Sequence, residues 1–276
     1  MDDPFPPVDE TSAPPAPRAR EPAFNAPAVV VATIAVLVAV HVARLEMPTR
    51  WDDWIVANFS FIPARTTLAL DPARWSELAA RAAGDPQRLR AAQFLRDIMG
   101  GGGAKLWTLV TYAFLHGGFA HLGLNSIWLL AFGAPVARRT GTLRFLALAA
   151  LTAGAGAAVE WAARPLGIYT LIGASASVSG LMGAAMRFMF ARPDSDPFDG
   201  PSGGHRATAP LSALLRDRRA LLFAGAWLLI NYVVGAYAPG LGLGDAPVAW
   251  RAHVGGFVVG MLTFPLFDRA GAPPPP

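Results

Sequence analysis

Six runs of apolar residues dominate this chain, and their length leaves few folds open to it. They cover about 27–45, 108–136, 143–163, 168–190, 219–238 and 247–268. A helix needs roughly 20 apolar residues to cross a bilayer's hydrocarbon core. Lipid offers no partner for backbone N–H and C=O groups, so a spanning segment must be a helix or part of a closed barrel. Runs this long, with no apolar–polar alternation, favour helices. The expected fold class is an all-α membrane protein built as a six-transmembrane-helix bundle. The first run is short and is interrupted by His41 near its end. The second is over-long for one crossing, so its start is expected at the interface. Glycines, alanines and serines break the fourth.

Composition agrees. Of 276 residues, 53% are hydrophobic and only 15% charged, where a soluble domain carries about 25%. The absence of cysteine excludes a disulfide framework, a thiolate metal site and a thiol nucleophile. A formal charge of +4 raises nucleic acid as a partner, but the arginines are scattered among acids and loops. No nucleic-acid role is read from them, and topology accounts for them better.

Orientation follows from the short loops, because Lys and Arg accumulate on the cytoplasmic side. Arg138, Arg139 and Arg144 lie between runs two and three. Arg192, Arg206, Arg216, Arg218 and Arg219 lie between or at the margins of runs four and five. The loops after runs three and five offer only Arg164 and Arg251. Both termini are therefore expected in the cytoplasm. Residues 1–26 read as a disordered cytoplasmic tail, 27–268 as the membrane domain and 269–276 as a short disordered end. Within the domain, 46–106 is a long outer loop whose 72–99 stretch suggests amphipathic helices on the outer surface. Gly100–Gly103 is a joint, and 191–218 forms a cytoplasmic loop.

Polar groups inside apolar runs are costly and usually mark function. Three contexts stand out: H-G-G-F-A-H-L-G-L-N at 116–125, G-A-S-A at 173–176 and A-H-V-G-G at 252–256. Runs two, four and six enter the bilayer from the same face. Ser175 then lies about seven residues, or roughly 10 Å, into its run, with His253 at a similar depth. A serine hydroxyl needs a base to become a nucleophile, and His253 is the candidate. No carboxylate accompanies the pair, which favours a dyad over a triad. An oxyanion formed at such a site needs donors, available from Asn125, from His121 one turn earlier, and from the Ser175 backbone N–H. Ser177 is rotated about 200° from Ser175, whereas Ser179 shares its face roughly 6 Å deeper. Gly180, Gly183, Gly256 and Gly260 would let runs four and six pack closely. His41 and His205 are read as uninvolved, and Asn231 as an interhelical hydrogen-bonder outside the site.

These residues carry a resemblance. The chain resembles the rhomboid intramembrane serine proteases of bacteria, which show H-x4-H-x3-N in the second helix, G-x-S in the fourth and A-H-x-x-G in the sixth. The counterparts here are His116, His121 and Asn125; Gly173 and Ser175; and Ala252, His253 and Gly256. The match covers roughly 27–268, and Trp107 fits the family's first outer loop. The resemblance implies Ser175 as nucleophile, His253 as general base, and His121 with Asn125 as oxyanion hole. His116, Gly173, Ala176 and Ser179 would line the site. Two positions depart from the pattern: Ala176 stands where glycine is frequent, and Thr108 follows Trp107 where arginine is frequent. The first could tighten the oxyanion region; the second removes a possible loop-anchoring contact.

The activity so implied is endopeptidase cleavage in or near transmembrane segments of other membrane proteins, within the lipid bilayer. Entry would be lateral, near run five, and neither metal nor organic cofactor is needed. Residue usage and the lack of a leader point to a bacterial inner membrane, while oligomeric state leaves no mark in the sequence. One alternative is a catalytically inactive relative that binds transmembrane segments, against which both Ser175 and His253 are present. The other is a small transporter or channel, which would call for intramembrane carboxylates or lysines that these runs almost lack.

Overall fold

The computed structural model describes residues 26–99, 103–190, 208–237 and 248–268. The two termini, His205, most of the Gly100–Gly103 joint and the 191–207 part of the cytoplasmic loop lie outside the described residues. Six long helices organise the rest: α1 (Ala28–Glu46), α2 (Phe119–Thr140), α3 (Thr142–Ala163), α4 (Ser175–Met189), α5 (Arg218–Tyr237) and α6 (Trp250–Phe267). Among the described residues, α1, α2, α3 and α5 are long and apolar enough to cross a membrane.

Burial shows why α4 differs from these four. Every residue of α4 from Ala176 to Phe188 is buried, so this helix is the hub and meets little lipid. The helices around it bury single stripes. In α3 the stripe runs Phe145, Leu148, Thr152, Gly156 and Glu160; in α6 it runs Ala252, Gly256, Gly260 and Phe264. Both repeat at three or four residues, the period of one helix face. α1 and α5 are exposed along most of their length, presenting Val31, Val38 and Val42, and Leu222, Leu229 and Ile230. Apolar exposure of that kind suits a lipid surround.

Missing side chains set the spacing at the centre. A Cβ added to Gly260 would lie 2.0 Å from the Gly180 carbonyl oxygen, and one on Gly183 would lie 2.2 Å from that of Phe257. One on Gly256 would meet the Ala176 carbonyl at 2.1 Å. The backbones of α4 and α6 are therefore in direct contact along three positions, as small residues permit. Gly180 also accommodates Thr152 of α3, and Gly156 of α3 accommodates Ala176. The expected site-lining role of Ala176 is thus corrected: its methyl fills the α3–α4–α6 junction.

Three run boundaries move. The long second run divides into short turns at Thr108–Thr111 and Tyr112–Phe114, a bend at 115–118, and then α2. α2 itself contains a π turn at Leu129–Gly133, ending two residues before Pro135, which has no N–H to give the ladder. The fourth helix begins at Ser175 and not near 168, because residues 164–174 form a loop that carries the chain into the bundle. α6 likewise starts at Trp250, putting His253 in its first turn.

The 46–106 loop is a folded cap. Its helices are Thr49–Phe59, Pro63–Leu70, Trp75–Ala82 and Pro86–Met99, and the last three pack Leu68, Leu78 and Leu95 about Ile62 and Leu166. The amphipathic segments therefore bury their apolar faces largely against their own cap. Arg65, fully buried, donates to the carbonyls of Ala57 and Ser60 and to the Thr108 hydroxyl at 3.1 Å. Burial lowers its pKa to about 10, which leaves it cationic at neutral pH. Thr108 in turn donates to the Lys105 carbonyl, and the Trp107 indole to that of Asn58. The contact expected to be lost with Thr108 is instead supplied from the cap. At the other end of the bundle, Arg139 pairs with Asp268 and lies over the rings of Phe188 and Phe264.

Two measurements check this packing. Gly260→Val should cost about 3 kcal/mol through overpacking and lower the melting temperature in detergent, while Gly225→Ala on open α5 surface leaves it unchanged. Arg65→Ala, which strips buried acceptors of their donor, should destabilise by about 1–3 kcal/mol in the same assay.

Candidate active site

The approach to Ser175 is held from several sides. Phe61 and Leu171 exchange backbone hydrogen bonds of 3.2 and 2.8 Å, joining the cap to the loop before α4. Thr67 donates to the Pro165 carbonyl and receives the Trp161 indole N–H. The Gly173 N–H donates to the Tyr112 carbonyl, and the buried Tyr112 hydroxyl reaches the Ala153 carbonyl of α3. Gly173 has φ of +111°, a region that disfavours any side chain. An added Cβ there would also fall 2.6 Å from two atoms of the His121 ring. Only glycine meets both demands.

Ser175 is the first residue of α4, with Ala174 as N-cap. Its backbone N–H consequently lacks a carbonyl one turn back in the helix, and the start of a helix carries partial positive charge. Its hydroxyl lies 2.7 Å from His253 Nε2. The other imidazole nitrogen, Nδ1, lies 2.7 Å from Asn231 Oδ1 on α5. Asn231 Nδ2 donates to the Trp227 carbonyl one turn earlier at 2.9 Å. Both Ser175 and His253 are half-buried.

The remaining expected residues cluster beside this pair. The His121 ring packs against Gly173, two residues before Ser175. Asn125, buried on the next turn of α2, donates one amide hydrogen to the His121 carbonyl at 2.8 Å and keeps a second. His116 is fully buried: its Nε2 accepts the Ala174 N–H at 3.4 Å, and its ring lies edge-on to His121 at 5.1 Å. It supports the backbone next to Ser175 from beneath. Ser179 is buried one turn along α4, and Ser177 turns away to donate to the Ala149 carbonyl of α3.

Two groups escaped the sequence reading. Asn231 was expected between helices but outside the site, and its partner is His253. Arg44 ties α1 to the site by donating to the His116 carbonyl at 3.2 Å while pairing with Asp52. Glu160 is engaged elsewhere, accepting from the Tyr169 hydroxyl. Among the described residues no group of three His, Asp or Glu side chains could hold a metal ion. Chemically, the arrangement offers a hydroxyl whose proton an imidazole can take, next to amide, imidazole and backbone donors.

Comparison with known proteins is consistent with this geometry. A family model for the Rhomboid domain matches residues 103–269, more than half of the chain. The rhomboid protease GlpG of Serratia proteamaculans is 30% identical over 158 residues, covering 57% of this chain and 47% of that protein. GlpG of Pectobacterium atrosepticum is 30% identical over 159 residues, with the same shares. A putative rhomboid protease of Bacillus subtilis, YdcA, is 36% identical over 77 residues, 28% of this chain and 38% of that one. The chain thus spans about half the length of the two GlpG proteins it matches. With its apolar helices and this domain, the chain is an integral membrane protein of the rhomboid family.

Proposed function

We propose that the chain is an intramembrane serine endopeptidase that cuts other membrane proteins in or near their transmembrane segments. The observation that carries this reading is the 2.7 Å approach of the Ser175 hydroxyl to His253 Nε2 across α4 and α6. A hydroxyl and an imidazole at that distance are poised for base-assisted attack.

In the proposed reaction, Ser175 Oγ attacks the scissile carbonyl carbon as its proton passes to His253 Nε2. The resulting oxyanion is stabilised by the Ser175 N–H, the free hydrogen of Asn125 and the His121 imidazole. His253 then gives its proton to the leaving amine, and the C–N bond breaks. A water, deprotonated by His253, attacks the acyl-serine, and collapse releases the carboxyl product and restores Ser175. Substrate must arrive unwound, because the carbonyls of a regular helix are already hydrogen-bonded. The half-exposed α5, tied to α6 at few points, is the natural side for its entry.

Orientation completes the proposal. Arg138, Arg139 and Arg144 lie at the end of the bundle remote from Ser175, which the positive-inside rule assigns to the cytoplasm. The site then opens to the outer face of a bacterial inner membrane, and both termini are cytoplasmic. The presence of both reacting groups weighs against an inactive segment-binding relative.

Wild-type protein in detergent should be labelled by a fluorophosphonate and should cut a single-span model substrate. Ser175→Ala and His253→Ala should each abolish labelling and lower kcat by about 10⁴-fold or more. A wild-type protein that does neither contradicts the proposal. Asn125→Ala should lower kcat by about 10²–10³-fold with little change in KM, as loss of an oxyanion donor does.

A further inference from the structure

We infer that Asn231 is the positioning residue for His253: its amide carbonyl holds the imidazole in the one tautomer that can receive the Ser175 proton. The inference rests on the serine-protease reading and extends it to a helix that contributes no reacting group.

The hydrogen-bond chain fixes its own direction. The Trp227 carbonyl can only accept, so the nitrogen of the Asn231 amide must face it, at 2.9 Å. The amide oxygen is then the atom that faces His253 Nδ1, at 2.7 Å. An amide oxygen has no hydrogen to give, so Nδ1 of neutral His253 carries the proton. Nε2 is left with its lone pair towards the Ser175 hydroxyl, at 2.7 Å. Reversal of either ring or amide would set two donors or two acceptors against each other. The order Trp227 carbonyl, Asn231, His253, Ser175 therefore runs one way, and it ends on a base ready to accept.

Packing around Asn231 keeps α5 in the register this chain requires. One turn before it, the Trp227 ring stacks on Phe257 of α6, centroids 4.4 Å apart and planes within 18°. One turn after it, Gly235 lies so close to Trp250 that an added Cβ would approach that side chain to 2.5 Å. Tyr232 meets the same indole edge-on at 5.4 Å. These ring contacts clamp α5 to α6 on both sides of the amide. Elsewhere α5 is largely exposed, with Ala220 and Gly235 its buried residues.

As His253 takes the serine proton, its Nδ1–H bond to the amide oxygen shortens the search for a productive ring orientation and stabilises the positive charge. A neutral amide does this more weakly than a carboxylate. It also avoids burying a second charge among apolar helices, which is expensive without full pairing.

The test compares wild type, Asn231→Leu and Asn231→Asp on the single-span substrate, with melting temperature followed in parallel. Leucine keeps the volume and removes the acceptor. It should lower kcat about 10- to 100-fold, the usual scale for a group that orients a functional imidazole, with KM within about twofold. Aspartate restores an acceptor oxygen towards Nδ1 while its second oxygen faces the Trp227 carbonyl, so it should recover part of the kcat that leucine loses, at a lower melting temperature. Leucine retaining full kcat, or aspartate no better than leucine, overturns the inference. A second measurement needs no variant: ¹⁵N shifts of labelled histidine in wild-type protein should show His253 as the neutral Nδ1–H tautomer, and the Nε2–H tautomer overturns it. Loss of labelling in wild type would sink the protease reading itself, a result distinguishable from either of these.

Discussion

The structure turns on a near-absence of side chains between α4 and α6. Gly183, Gly256 and Gly260 let carbonyl oxygens of one helix rest where Cβ atoms of the other would be. The gain is close van der Waals packing, the force that remains once lipid removes the hydrophobic drive between helices, with Arg187 of α4 adding a hydrogen bond of 2.8 Å to the Met261 carbonyl of α6. That contact sets the separation across which Ser175 and His253 meet. A single methyl group at Gly256, which meets the carbonyl of Ala176 next to Ser175, would open the seam beside the pair held at 2.7 Å.

A second constraint acts on the far side of Ser175. α4 begins at Ser175 itself, so the residues before it have no helical ladder to hold them. The cap and the turns at 108–118 provide what the helix does not. Phe61 pairs with Leu171, Tyr112 receives the Gly173 N–H, and His116 receives that of Ala174. Arg65 and Thr108 lock the cap to the turn that carries Tyr112. The 46–106 segment therefore acts on the site through backbone geometry, without contributing a reacting group. The benefit of the arrangement is a helix N-terminus aimed at the place where negative charge would develop.

Much of this was legible in the chain, for reasons that differ by element. The positions of α1, α3 and α5 follow from hydropathy alone, because lipid-facing helices must be apolar throughout. Ser175, His121 and His253 could be grouped because polar residues are rare in such runs and their motif spacing is distinctive. The start of α4 was misread by about seven residues since Tyr169, Leu171 and Ile172 are as apolar as a span; they are buried or half-buried in a loop against the cap. Ala176 was expected at the site because it neighbours Ser175, but one residue is 100° of helix, enough to turn its methyl into the α3–α6 junction. Thr108 appeared to lose an anchor because its partner, Arg65, lies 43 residues away. No local pattern could join them. Asn231 was recognised as an interhelical bonder, but its partner depended on the register of α5 against α6, set by Trp227 on Phe257 and Trp250 on Gly235.

The choice of an amide beside His253 follows from the medium. In water-soluble hydrolases a carboxylate can orient the base because solvent and nearby dipoles offset its charge. Between apolar helices that offset is scarce, and an ionised group there costs several kcal/mol unless fully paired. A buried carboxylate of the bundle, Glu160 on α3, is committed to the Tyr169 hydroxyl. Placing the orienting group on α5 adds a further property. The helix that supplies the amide is also the most exposed of those packed against α6, so in the proposed reaction any displacement of α5 to admit a substrate would pull on the His253 ring. Under that proposal, orientation of the base and opening of the site would be coupled through one interhelical hydrogen bond.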